Sequence, residues 1–289
     1  MSQRTKAELL LVVTTFIWGS TFVIVKGALA DASPFPFLAV RFLLAGLLMF
    51  WVMARGRVPR PALLPSLWLG ILLFAGFAFQ TWGLVFTTPS KSAFITGFSV
   101  ILVPLLSVFH GYRMRAANAG GAGLGLLGLY FLVLPSGVSA VNRGDILTLF
   151  GAMAFAVHIV LVGTYTRRFS FLHLAPAQIL VVGIIATLAI PFAPSWTLHW
   201  TGRLIFAVAV TAVFATAFAF GTQVWAQQHT PPAHTALIFS LEPVFAALTS
   251  RVVTKEHLAG KVFLGSALIL AGIVISEVWG GAAPAPVEG

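Results

Sequence analysis

From Glu8 to Trp279 the chain is a succession of apolar runs, each close to the roughly 20 residues that carry a helix across a hydrocarbon core. Candidate spans fall at 8–29, 34–54, 66–87, 90–110, 118–135, 143–165, 171–192, 203–226, 232–252 and 258–279. Short connections between them collect the turn formers and the charges. The runs are too long for barrel strands and lack their dyad alternation, so helices are expected. Charged residues make up only 8% of the chain and hydrophobic ones 59%. A soluble domain is about 25% charged, so the solvent for this surface is lipid.

The net charge of +10 does not indicate nucleic acid, because the basic residues lie scattered between apolar runs rather than on one segment. That is how loops anchor membrane helices. No cysteine is present, which excludes disulfides and thiolate chemistry. The first run is too long for a signal-peptide core and is expected to be retained. The tail 281–289 is small and Pro-rich, and is expected to be disordered. With the N-terminus inside, the inner segments hold Arg4, Lys6, Arg55, Arg57, Arg60, Arg113, Arg115, Arg167 and Arg168. The outer loops hold the smaller set Lys91, Arg143, Arg203, Arg251, Lys255 and Lys261. The positive-inside bias then places both termini in the cytoplasm of a bacterial-type inner membrane.

The two halves resemble each other in order. Glu8-Leu9-Leu10 matches Asp145-Ile146-Leu147, which sets Trp18 opposite Phe155 and Thr21 opposite His158. Phe77-Ala78-Phe79-Gln80-Thr81 matches Phe218-Ala219-Phe220-Gly221-Thr222, and Ser92-Ala93-Phe94-Ile95 matches Thr235-Ala236-Leu237-Ile238. Pro104 has a counterpart in Pro243, and Gly121 and Gly128 in Gly265 and Gly272. An odd number of spans per half inverts one half relative to the other, a plan that sets a site at the midplane and permits alternating access. The expected fold is an all-α polytopic membrane protein of ten transmembrane helices in two inverted five-helix repeats, 1–138 and 139–280.

The string Trp18-Gly19-Ser20-Thr21-Phe22-Val23-Ile24-Val25-Lys26 is followed by Pro36 and Arg41. Near the other end stand Leu241-Glu242-Pro243-Val244-Phe245-Ala246-Ala247-Leu248 and then Lys255-Glu256. Together these resemble the EamA family of the drug/metabolite transporter superfamily. The resemblance implies ten spans in two halves and export of amino acids, metabolites or toxic compounds, one branch exporting aromatic amino acids. The chain departs from that pattern with Phe155 where the family often has Trp, with His158, and with Val103-Pro104 in place of a Glu-Pro pair.

Glu242 is the most informative residue, since an intramembrane carboxylate is expensive and marks a functional site by default. It can bind a substrate amine, carry a coupling proton, or only hold backbone groups freed by Pro243. Arg41 is a candidate partner for a substrate carboxylate. Trp18, Thr21, Phe79 and Phe98 are candidates for the cavity wall, aromatic rings offering large contact area to a flat substrate. Packing within the helix bundle is the alternative for each. Gln80, His158 and Gln223 are polar groups that must face the bundle interior. Pro104 and Pro243 are candidate hinges. Lys26 is read as snorkelling to the interface. The run Gly120-Gly121-Ala122-Gly123-Leu124-Gly125 permits close helix contact, within the fold or in a homodimer.

Neither a phosphate-cradling GxxxxGK[ST] nor an HExxH is present. Transport is therefore expected to run on a gradient, with no cofactor or metal and with a small-molecule substrate and a coupling proton as partners. An importer or exchanger of nucleotide sugars or phosphorylated compounds would need several cavity cations, where only Arg41 qualifies. A membrane enzyme would need a catalytic cluster, where only Glu242 and His158 qualify. A channel would need a charged ring or filter.

Overall fold

The computed structural model describes residues 1–53, 58–110, 115–133, 142–193, 196–254 and 260–279. Arg55, Arg57, Arg113, Lys255, Glu256 and the tail from Gly280 lie outside these. Among the described residues the regular elements are helical, apart from one antiparallel bridge between Ala32 and Leu198.

The helices are α1 (Gln3–Ala28), α2 (Pro34–Met53), α3 (Arg60–Phe86), α4 (Pro89–Gly97), α5 (Ser99–Val108), α6 (Ala116–Val133) and α7 (Arg143–Tyr165). They continue with α8 (Phe171–Ala189), α9 (Gly202–Ala212), α10 (Ala219–Ala226), α11 (Pro232–Phe239), α12 (Glu242–Thr254) and α13 (Gly260–Trp279). A π-helical stretch, Val213–Phe218, joins α9 to α10. Among the described residues eight stretches are long and apolar enough to cross a membrane: α1, α2 to Trp51, α3, α4–α5, α7, α8 with the turn after it, α9–α10, and α11–α12 to Val253. At the fifth and tenth expected spans stand α6 and α13, helices of 18 and 20 residues.

Local chemistry sets the ends. α1 starts five residues before the apolar run because the Ser2 side chain accepts from the Thr5 N–H, and Arg4 pairs with Glu8 one turn on. α3 likewise starts early, behind Pro59 and with a proline in its first turn, where no N–H is needed. Asn142 and Asp145 form a reciprocal capping box on α7. Lys26 extends to the C-terminal end of α3. Its Nζ donates to the carbonyls of Leu84, Val85 and Thr87 (2.6, 3.1 and 3.1 Å) and satisfies the open end of α3.

Small residues set the helix crossings. α3 packs on α7 and α8, α2 on α8, α1 on α12 and α10, and α6 on α13. In the last pair the glycines interlock. A Cβ on Gly121 would stand 2.6 Å from the Gly272 carbonyl oxygen, and one on Gly128 would stand 2.5 Å from that of Gly265. The glycine run is thus used inside the fold, where small residues let two backbones touch in lipid.

A polar tie joins the α1–α2 turn to the strand-like segment before α9. Asp31 takes two hydrogen bonds from Arg203 (2.8 and 2.9 Å) and one from Thr201 (2.7 Å), and its carbonyl accepts from the His199 N–H. The periphery is apolar, with Leu47, Trp51, Phe192, Phe206 and Phe263 exposed. Such a continuous apolar exterior belongs in lipid.

Candidate functional site

Helices α1, α2, α3, α7 and α10 and the two broken spans enclose a cavity with about 750 Å3 of empty space, its open mouth included. One stripe of each long helix faces it, at the i, i+3, i+4, i+7 spacing of a single helix face. Trp18, Thr21, Phe22 and Val25 come from α1. Phe77, Gln80, Thr81 and Leu84 come from α3, and Phe155, His158 and Ile159 from α7. α10 adds Phe220 and Gln223, and α2 adds Arg41.

Breaks in two spans admit the rest. α4 ends at Gly97 and α5 begins at Ser99; α11 ends at Phe239 and α12 begins at Glu242. Thr96, Ser99, Phe239 and Glu242 line the cavity at these breaks. Pro243 lacks the N–H that would bond the Phe239 carbonyl, where α11 ends. It is the second residue of α12, in the first turn, where its fixed φ suits a helix start. Pro104 lies inside α5, six positions after the break at Phe98. On the register that matches Ser92 with Thr235, Pro89 opens α4 as Pro232 opens α11, and Ser99 opens α5 as Glu242 opens α12. Pro104 and Pro243 do not keep that register. The breaks, not those two prolines, are the matching features, and Ser99 occupies the place of Glu242.

The π-helical stretch positions two lining residues. Its widened turn frees backbone carbonyls from the regular ladder. The Ala215 carbonyl accepts from Trp18 Nε1 (2.8 Å) and from Arg41 Nη2 (3.4 Å), while Arg41 Nε donates to Thr216 Oγ1 (2.8 Å). The guanidinium sits 4.9 Å from the Phe77 ring centre, a favourable place for a cation. Trp18 packs against Phe220 and Phe239 at centroid distances of 5.2 and 5.0 Å.

Arg41 is 3% exposed and Glu242 8%. Neither meets an opposite charge among the described residues, and the Glu242 side chain accepts no hydrogen bond there. Three other polar side chains of the lining are engaged. Gln80 donates to Thr96 (2.9 Å), Thr21 to the Trp18 carbonyl, and His158 Nε2 lies 2.8 Å from Gln178 Oε1. The partner of His158 is thus an amide 20 residues on. Matching Glu8 with Asp145 also sets Arg41 opposite Gln178, which marks that position as polar in both halves.

Phe79 and Phe98 lie outside the lining. Phe79 is off the stripe of Phe77, Gln80, Thr81 and Leu84 and packs on Phe150; Phe98, at the break, packs on Phe94. Phe77, Phe155, Phe220 and Phe239 wall the cavity instead. The pairing of Trp18 with Phe155 was the available signal for one of them.

The model of the EamA-like transporter family matches the chain twice, over residues 5–134 and 142–277. A protein of Archaeoglobus fulgidus named an uncharacterized transporter is 37% identical over 94% of this chain and 86% of its own. A protein of Escherichia coli named a probable amino-acid metabolite efflux pump is 25% identical over 96% of this chain and 95% of its own. One solved crystal structure shares the fold, with a TM-score of 0.77 at 22% identity over 94% of this chain and 96% of that one. The chain is a multi-pass membrane protein and belongs to the EamA-like transporter family.

Proposed function

We propose that this chain is a secondary transporter that exports amino acids, aromatic ones among them, by alternating access in a bacterial-type inner membrane, with both termini cytoplasmic. One observation carries the substrate class. Arg41 and Glu242, each buried without a counter-charge, line one aromatic-walled cavity. A zwitterion supplies both missing charges, its carboxylate to the guanidinium fork and its ammonium to the carboxylate. A phosphorylated solute would meet one cation and one opposing anion. The similarity to the Escherichia coli protein named a probable amino-acid metabolite efflux pump supports the same class and the outward direction.

Alternating access needs two related gates. The family model's double match and the matching breaks favour two inverted repeats of five helices, divided near residue 138. Two contacts share that relation, one an ion pair and one between a carboxylate and a histidine. Asp145, near the start of α7, accepts from Lys91 of α4 (2.6 Å). Glu8, near the start of α1, lies 3.5 Å from His234 of α11 and also takes a bond from Arg4. Glu8 matches Asp145, and the Ser92–Thr235 register matches Lys91 with His234. In inverted halves these are latches on opposite sides of the membrane. Glu242, which lines the cavity, is the group on which a coupling proton would travel.

Competition for uptake into proteoliposomes tests the substrate class. Phenylalanine should compete, while phenethylamine, without the carboxylate, and 3-phenylpropionate, without the amine, should each compete at least tenfold less well, one charge-assisted contact being lost. Equal competition by all three contradicts the zwitterion reading.

A further inference from the structure

At the cavity wall the direction of one buried amide, that of Gln223, is fixed by a relay. The Ile159 carbonyl can only accept, so the amide nitrogen of Gln227 must face it, and does at 2.8 Å. That leaves Gln227 Oε1 toward Gln223, and only the Gln223 nitrogen can donate to it, at 3.1 Å. Gln223 is therefore left with its oxygen unengaged. It is 1% exposed, borders the cavity, and its Oε1 has no hydrogen-bond partner. Turning the amide over would set oxygen against oxygen at Gln227. The relay thus presents an acceptor and withholds a donor.

We infer that Gln223 is a specificity-determining residue, its Oε1 accepting a hydrogen bond from a neutral O–H or N–H on the substrate's side chain, with Gln227 as its positioning residue. The inference rests on the amino-acid reading above. Phe220, one turn before Gln223, faces the same cavity and packs on Trp18. An aromatic body lying on these rings brings a ring substituent toward the amide, apart from Arg41 on α2 and Glu242 on α12. A site built to accept a hydrogen bond discriminates against an analogue without the donor, because its buried acceptor then stays unpaired.

The test compares uptake of tyrosine, phenylalanine and O-methyltyrosine into proteoliposomes by the unmodified chain, then by Gln223→Met and Gln227→Met. The ratio within each protein is read, so a general loss of rate does not enter. The unmodified chain should prefer tyrosine over both analogues by about tenfold, one hydrogen bond. Gln223→Met should bring the ratio to about one, and Gln227→Met, which frees the amide to turn, should lower it. If Gln223→Met does not fold, the unmodified chain and Gln227→Met decide. Uptake of all three at equal rates, or a ratio unmoved by either substitution, overturns the inference and leaves the amino-acid reading standing. Uptake of none of them overturns both.

Discussion

Gly19 faces the backbone of Glu242 so closely that a methyl group in place of its hydrogen would stand 2.6 Å from the Glu242 carbonyl oxygen. It would also stand 2.8 Å from Phe245 Cβ and 3.0 Å from the Ala246 nitrogen. The contact clamps α1 to the first turn of α12, and a hydroxyl pair, Ser20 with Thr249 at 3.0 Å, continues it. The clamp sets Trp18 and Glu242 on one cavity wall. Gly19→Ala should cost about 1–3 kcal/mol by overpacking and should slow transport. Gly221→Ala is the control, since its Cβ would meet only Met49 Cε at 3.7 Å. Melting temperatures in detergent check the pair, and equal values would contradict the clamp.

The glycine seam between α6 and α13 gives a second contrast. Gly128→Ala would press on the Gly265 carbonyl and should lower the melting temperature. Gly120→Ala and Gly123→Ala meet nothing within 4 Å and should not. Thermal melts of the three variants separate a seam inside the fold from one used between two copies of the chain.

Acid should loosen the tie at Asp31. Hydrogen bonds from Arg203, then from Thr201, hold the Asp31 carboxyl at about 2, below the usual carboxylate value. A carboxyl depressed in the folded state adds stability above its unfolded value of about 4 and loses it as pH falls toward 2. Asp31→Asn should therefore melt below the unmodified chain at neutral pH and converge with it as pH falls from about 4 to about 2. A gap independent of pH would show that the pair contributes nothing through its charge.

The absence of cysteine makes the latches testable by a single introduced thiol. Thr81→Cys places it in the cavity wall. On that background, Asp145→Asn should raise labelling by an impermeant maleimide from one face of the membrane, and Glu8→Gln from the other. Increases from the same face would contradict the opposed arrangement.

Hydropathy made the long helices legible, because crossing lipid demands continuous apolar sequence. The breaks at Phe98 and Ser240–Leu241 and the π-helical turn at Val213–Phe218 were not, since apolar sequence runs through them unchanged. That is why Pro104 and Pro243 read as a matched pair although only the breaks keep register. In the site, buried charge and amides stood out by their rarity in lipid, and Arg41, Gln80, His158, Gln223 and Glu242 all line the cavity. Aromatic residues carry no such mark. With 26 phenylalanines, only helix facing separates Phe77 and Phe155 from Phe79 and Phe98, and facing depends on partners distant in sequence.

In the proposed transport cycle Glu242 binds the substrate's amine and carries the coupling proton. The most direct test of that role is uptake of labelled phenylalanine into proteoliposomes, with and without an imposed pH gradient, by the unmodified chain and by Glu242→Gln. The unmodified chain should show gradient-dependent uptake, and the variant, correctly inserted, either no uptake or uptake indifferent to the gradient. Uptake by Glu242→Gln that matches the unmodified chain and still follows the gradient would contradict that role.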